Sequence, residues 1–149
     1  VYPTAEAAEA RFLKAGEDEF IYARYGNPTT RMFEERIAAI EGTEDAFATA
    51  SGMAAVSGAL MAMLRAGDRV VSSRALFGSC LYVLEEVLQK FGVKVTFVDG
   101  ADLGQWRAAV TPGTKAVFFE TMSNPTLELV DIASVSEIAH EVGALVICD

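Results

Sequence analysis

Three stretches of this sequence set polar groups where a bound anion or heterocycle would need them. Ser51-Gly52-Met53 opens an Ala/Met/Leu-rich segment and is expected at the start of a helix. The first N–H groups of a helix lack intrahelical acceptors and lie at the positive end of its dipole, which suits them to a phosphate. Gly52 lets that anion approach the backbone closely. The plain alternative is a Ser N-cap with Gly in the first turn. Asp149 follows the apolar run Ala144-Leu145-Val146-Ile147-Cys148. That run reads as a strand buried on both faces, with Asp149 at its carboxyl end, where open α/β sheets bind ligands. A carboxylate there can hold the protonated ring nitrogen of a heterocycle, or it can simply cap the strand. Tyr22-x-Arg24 puts a phenol and a guanidinium on one side of an extended arm, a pair able to contact phosphate. As ordinary surface residues they would be a solvated Arg and a packed Tyr. Phe77 can stack on a flat ring or pack in the core. Asn124, in Ser123-Asn124-Pro125-Thr126, can present an amide at the sheet edge or form an Asx turn.

The elements that must position these groups alternate along the chain. A short Ala/Glu-rich helix is expected within 4–20, ending near Gly16. The Gly/Asn/Pro-containing stretch 21–29 follows as an irregular arm. Thr29 or Thr30 is expected to cap a helix carrying Phe33, Ile37 and Ile40, with Gly42 ending it. Strands are expected at 45–50, 69–73, around Val93, Val95 and Phe97, at 115–120, and at the run before Asp149. Helices are expected from Ser51 to about Arg65, through Leu81, Leu84, Leu88 and Phe91, around Trp106, and from an Asp131 cap through Ile132, Val135, Ile138 and Val142. Strands separated by helices require crossover connections, hence an α/β fold with a mostly parallel sheet and helices on both faces. Residues 1–44 are expected to be an N-terminal arm and helix, and 45–149 the start of the α/β domain.

Bulk composition narrows the function classes. The 149 residues carry 12 Lys+Arg against 21 Asp+Glu, a net charge of −9, which argues against nucleic acid and anionic membranes as partners. No apolar run is long enough to span a bilayer. Cys80 and Cys148 are two widely separated thiols, and a reducing, cytoplasmic setting suits them better than a disulfide framework. There is no G-x-G-x-x-G or P-loop motif. Thr49-Ala50-Ser51-Gly52-Met53 lacks the flanking glycines of a nucleophile elbow. The single histidine, His140, reads as a solvated helix residue, and no metal site is expected.

Taken together, Tyr22-Ala23-Arg24-Tyr25-Gly26-Asn27-Pro28-Thr29, Ala50-Ser51-Gly52-Met53, Phe119-Glu120-Thr121-Met122-Ser123-Asn124-Pro125 and Val146-Ile147-Cys148-Asp149 resemble the Cys/Met-metabolism family of pyridoxal-phosphate enzymes. Cystathionine γ-synthases, methionine γ-lyases and homoserine-ester sulfhydrylases belong to it. Within the family, 74–80 and 129–133 look most like the O-succinylhomoserine sulfhydrylases. The resemblance implies the large domain of the type I transferase fold and pyridoxal 5'-phosphate as cofactor. Ser51, Gly52 and Met53 would cup the cofactor phosphate, and Tyr22 and Arg24 would reach the phosphate in a neighbouring subunit of a homo-oligomer, expected to be a tetramer. Phe77 would stack on the ring, Asn124 and Glu120 would lie beside the cofactor, and Asp149 would pair with the ring nitrogen. Many relatives carry Tyr where Phe77 stands, so proton transfer through that phenol is in doubt here, which suits a sulfhydrylase better than a lyase. The family's Schiff-base Lys would follow Asp149. Lys14, Lys90, Lys94 and Lys115 match no such motif, so this chain is expected to be an N-terminal portion without a catalytic residue of its own. The implied reaction is γ-replacement on the amino acid O-succinylhomoserine by sulfide, giving homocysteine for methionine biosynthesis. The alternatives are cystathionine γ-synthase or methionine γ-lyase activity, or a non-catalytic phosphate-binding α/β module.

Overall fold

A computed structural model of the chain describes residues 2–13 and 20–149. The expected helix end near Gly16, and Lys14, lie outside the described residues. The chain divides into two compact units, Val1–Ala50 and Ser51–Asp149.

In the first unit, α1 (Ala5–Leu13) precedes α2 (Pro28–Glu41). The cap of α2 is Asn27 rather than Thr29 or Thr30: its side chain accepts from the N–H of both threonines, and Pro28 fills the first helical position. Pro has no N–H to satisfy there, and its fixed φ suits helix entry. Gly42 ends the helix at φ 66, donating its N–H to Ala38. No strand forms at 45–50. Carboxylates take the amides that a neighbouring strand would have paired: Asp45 Oδ1 accepts from Ala46 N–H at 2.8 Å, and Glu34 Oε1 from Ala48 N–H at 2.7 Å. Arg31 of α2 ties this segment to the helix through Asp45 at 2.7 Å, and within the helix it pairs with Glu35 at 3.2 Å. The hydrogen bond from Arg31 holds the Asp45 carboxyl below its usual range.

In the second unit, α3 (Gly52–Met63) leads to strand β1 (Arg69–Ser73). One helical stretch follows, composed of α4 (Gly78–Tyr82), a π turn (Val83–Val87) and α5 (Leu88–Lys90). Next come β2 (Lys94–Val98), α6 (Leu103–Ala109), β3 (Thr114–Phe119), α7 (Ile132–Glu141) and β4 (Leu145–Cys148). The π turn shifts the helical phase. Leu84 and Leu88 are buried, whereas Phe91, expected on the same stripe, is exposed.

The four strands are all parallel, in the order β2-β1-β3-β4. Successive strand residues face opposite ways. Val70, Ala116 and Phe118 accordingly pack with Leu60, Leu84 and Leu88 of α3 and the α4–α5 stretch. Val71, Val117 and Phe119 pack with Trp106, Val135 and Ile138 of α6 and α7. Trp106 is fully buried, and its Nε1–H donates to Gly100 O at 3.0 Å. Strand β4 is not buried on both faces: Leu145 is 39% exposed, and Val146 and Ile147 are half-buried. Among the described residues no helix is long and apolar enough to cross a membrane.

Candidate functional site

The chain reverses its direction of travel across the sheet between β1 and β3. From β1 it crosses to β2 over one face, and from β3 to β4 over the other. Such a switch point opens a crevice at the carboxyl ends of the central strands. A cleft of about 440 Å³ lies at these ends, lined by Gly52, Met53, Phe77, Glu120, Asn124 and Asp149, with Val56, Cys80, Thr121 and Met122.

Each wall has its own support. Ser51 Oγ caps α3 by accepting from Ala54 N–H at 3.2 Å, and its carbonyl takes Ala55 N–H at 3.1 Å. The Gly52 and Met53 amides belong to the first turn, where helix geometry provides no acceptor. A Cβ on Gly52 would meet no atom within 4 Å, so the approach to that turn is open. Phe77 precedes α4 and is 44% exposed. It lines the cleft and is not packed in the core. Asn124 sits in a loop closed on itself by the buried Ser123, whose Oγ lies 2.6 Å from Thr126 Oγ1 and accepts from Glu128 N–H at 2.9 Å.

Glu120 joins the walls. It is buried, and its Oε1 accepts from Phe77 N–H at 2.6 Å while Oε2 accepts from Asn124 N–H at 3.0 Å. Asp149 is held by the main chain: its N–H donates to Phe119 O at 3.0 Å, and its carbonyl accepts from Thr121 N–H at 2.9 Å. The side chain of Asp149 meets Cys80, whose Sγ is 3.6 Å from Oδ2. Burial, then the charges of Asp149 and Glu120, push the Cys80 thiol up to about 12.

Six residues singled out from the sequence thus share one cleft: Gly52, Met53, Phe77, Glu120, Asn124 and Asp149. Ser51 caps the helix that opens it. Tyr22 and Arg24 belong to the other unit. They do not lie on an extended arm, because the Tyr22 carbonyl accepts from Tyr25 and Gly26 N–H and turns the chain. Within that turn the Arg24 Cζ stands 5.2 Å from the Tyr22 ring centroid and 5.3 Å from that of Tyr25, both within cation–π range. The sequence reading did not place Cys80 in the site. The signal was available: Cys80 lies three residues after Phe77, hence on the same side of a helical turn. His140 is exposed, as expected of a solvated helix residue.

The donors suit pyridoxal phosphate. Helix-start amides without intrahelical acceptors suit a phosphate, an accessible ring face suits a flat heterocycle, and a carboxylate at the strand end suits a protonated ring nitrogen.

The model of the Cys/Met metabolism PLP-dependent enzyme family matches residues 2–149. The chain is 57% identical to the O-succinylhomoserine sulfhydrylase of Mycobacterium tuberculosis, covering 100% of this chain and 36% of that protein. It is 49% identical to the O-succinylhomoserine sulfhydrylase of Pseudomonas aeruginosa, covering 100% of this chain and 37% of that protein. Among solved structures, a Campylobacter jejuni protein assigned as an O-acetylhomoserine (thiol)-lyase superposes with a TM-score of 0.87 at 33% identity. That match covers 100% of this chain and 36% of the other, which carries N'-pyridoxyl-lysine-5'-monophosphate. The chain therefore spans little more than a third of the length of these relatives.

Proposed function

The chain belongs to the Cys/Met metabolism PLP-dependent enzyme family, and from that premise we propose that it supplies the phosphate cup and ring site of an O-succinylhomoserine sulfhydrylase. The full-length enzyme replaces the succinyloxy group at Cγ of O-succinylhomoserine with sulfide, breaking the Cγ–O bond to release succinate and forming the Cγ–S bond of homocysteine. The observation that carries this reading is the convergence of Gly52, Phe77 and Asp149 on one cleft at the switch point of the sheet. Its volume, about 440 Å³, is that of a small-molecule site.

Pyridoxal phosphate, when bound, supplies an electron sink for the carbanion that forms beside the amino group of the substrate. The protein residues prepare that sink. The Gly52 and Met53 N–H groups donate to the phosphate, and the dipole of α3 favours its charge. Phe77 offers a ring face and no phenol, so it orients without moving a proton. Asp149 accepts the ring N–H and keeps that nitrogen protonated. Glu120 fixes the main chain under Phe77 and Asn124, holding both walls at a constant spacing. Tyr22 and Arg24 reach the phosphate of a second subunit, so the working enzyme is a homo-oligomer, a tetramer in the simplest case, and it acts in the cytoplasm.

The test uses the full-length protein with pyridoxal phosphate, sulfide and O-succinylhomoserine. Homocysteine is the expected product. Cystathionine formed from added cysteine, with no homocysteine from sulfide, would move the assignment to cystathionine γ-synthase. A colourless protein that ignores added cofactor would leave only a phosphate-binding module.

A further inference from the structure

The reading above gives Cys80 no part, yet its thiol lies against the acid that matters most. Cys80 is 1% exposed and has one proton to donate. Two acceptors compete for it, Asp149 Oδ2 at 3.6 Å and Met53 Sδ at 3.9 Å. The carboxylate is the nearer and carries charge, and a charge-assisted bond is roughly twice as strong as a neutral one. The third neighbour, Glu120, receives Phe77 and Asn124 N–H on its two oxygens and also acts on the thiol, though less than Asp149 does. One side-chain oxygen from each of Cys80's two acidic neighbours and its own sulfur lie within 4.8 Å of one another. Among the described residues no other hydrogen bond reaches the Asp149 carboxylate. Its backbone is pinned to β3 at both the N–H and the carbonyl. Only the side-chain torsions therefore remain to be set.

We propose that Cys80 is a positioning residue whose S–H donates to Asp149 Oδ2, fixing the carboxylate so that its other oxygen serves the ring nitrogen of the cofactor. The inference rests on the cofactor reading above for the identity of that ring. Burial and the two carboxylates keep the proton on sulfur through the neutral range, so the group acts as a donor and not as a nucleophile.

Cys80 also packs with Val56, Leu60 and Leu84, and a purely apolar role predicts the opposite response to substitution. A packing residue is replaced better by Val than by Ser, whereas a donor is replaced better by Ser than by Val. The experiment uses the full-length protein and two readouts. The first is the infrared S–H stretch without cofactor, assigned by its loss in Cys80→Ser. It is expected at the low frequency of a hydrogen-bonded thiol and should move up in Asp149→Ala. A band that stays in place overturns the proposal. The second is the dissociation constant for pyridoxal phosphate. Cys80→Ser should stay within about twofold of the parent, and Cys80→Val should bind about tenfold more weakly, the scale of one hydrogen bond to a charged group. Val binding as tightly as the parent, or more tightly than Ser, reduces Cys80 to packing. If the band moves but no form of the protein binds the cofactor, the thiol–carboxylate contact stands and the cofactor reading fails.

Discussion

Phe77 and Glu120 are 43 residues apart in the chain, and the Phe77 N–H donates to Glu120 Oε1 at 2.6 Å. With Asn124 on the other oxygen at 3.0 Å, one buried carboxylate spans two walls of the cleft. Glu120→Gln keeps the shape but turns an N–H donor toward one of the two amides. The expected loss is about 1–3 kcal/mol of stability, the cost of one buried donor left unmatched. Urea unfolding measures it, and a midpoint unchanged from the parent would refute the clamp.

Gly100 follows β2, and its carbonyl receives the Trp106 indole. A Cβ there would stand 2.6 Å from Ser73 Oγ and 3.1 Å from Val130 Cγ2. Gly100→Ala should therefore destabilise by about 1–3 kcal/mol through overpacking. Gly52→Ala, with open space around its Cβ, should leave the fold intact and act on phosphate affinity instead. Thermal unfolding and cofactor titration on the two variants separate steric from functional glycine. Equal melting temperatures for both variants would contradict the crowding at Gly100.

Asp149→Asn in the full-length enzyme should lower turnover on the order of 100-fold, the scale on which one pre-placed electrostatic partner acts. Cofactor affinity should change far less. Arg24→Ala should show the reverse, a cofactor dissociation constant raised about tenfold or more by the loss of one charged hydrogen bond. Parallel kinetics and binding decide. An intact rate in Asp149→Asn removes the electron-sink role, and unchanged cofactor retention in Arg24→Ala removes the arm from the phosphate.

The Cys80 thiol holds its proton up to about pH 12 in the folded chain, against an ordinary value of 9.0. A group raised on folding contributes its full stability below the unfolded value and loses it as pH climbs toward the folded one, because the unfolded chain binds fewer protons in that window. Stability should thus decline above pH 9, by at most about 1.4 kcal/mol per pH unit from this group. Cys80→Ser, which does not titrate there, should show a shallower decline. Urea midpoints on either side of pH 9 give the comparison, and parallel curves would mean that the thiol is freely hydrated.

Local rules carried much of the second unit. Apolar runs bounded by Gly or Asp placed β1, β3 and β4, and Asp131 caps α7 as its position before Ile132 suggests. They failed where a side chain took an amide from a distant segment. Residues 45–50 have strand-like composition, yet Asp45 and Glu34 bind the Ala46 and Ala48 amides, and no ladder forms. Asn27 outcompetes Thr29 as the cap of α2 because Pro28 must occupy the first helical position. The π turn at Val83–Val87 left no mark in the apolar spacing. The same limit applies to the cleft. Gly52, Phe77 and Asp149 could be chosen by residue type and position on their elements. The Glu120 clamp and the Cys80 contact bridge segments far apart in sequence, and periodicity carries no information about such pairs.

The carboxylate of Asp149 reaches the cleft because its own main chain is bonded to Phe119 and Thr121. Its placement is thus written in peptide groups, which every residue type shares. Leu145, Val146, Ile147 and Cys148 can drift among other strand-forming residues while the acid keeps its address.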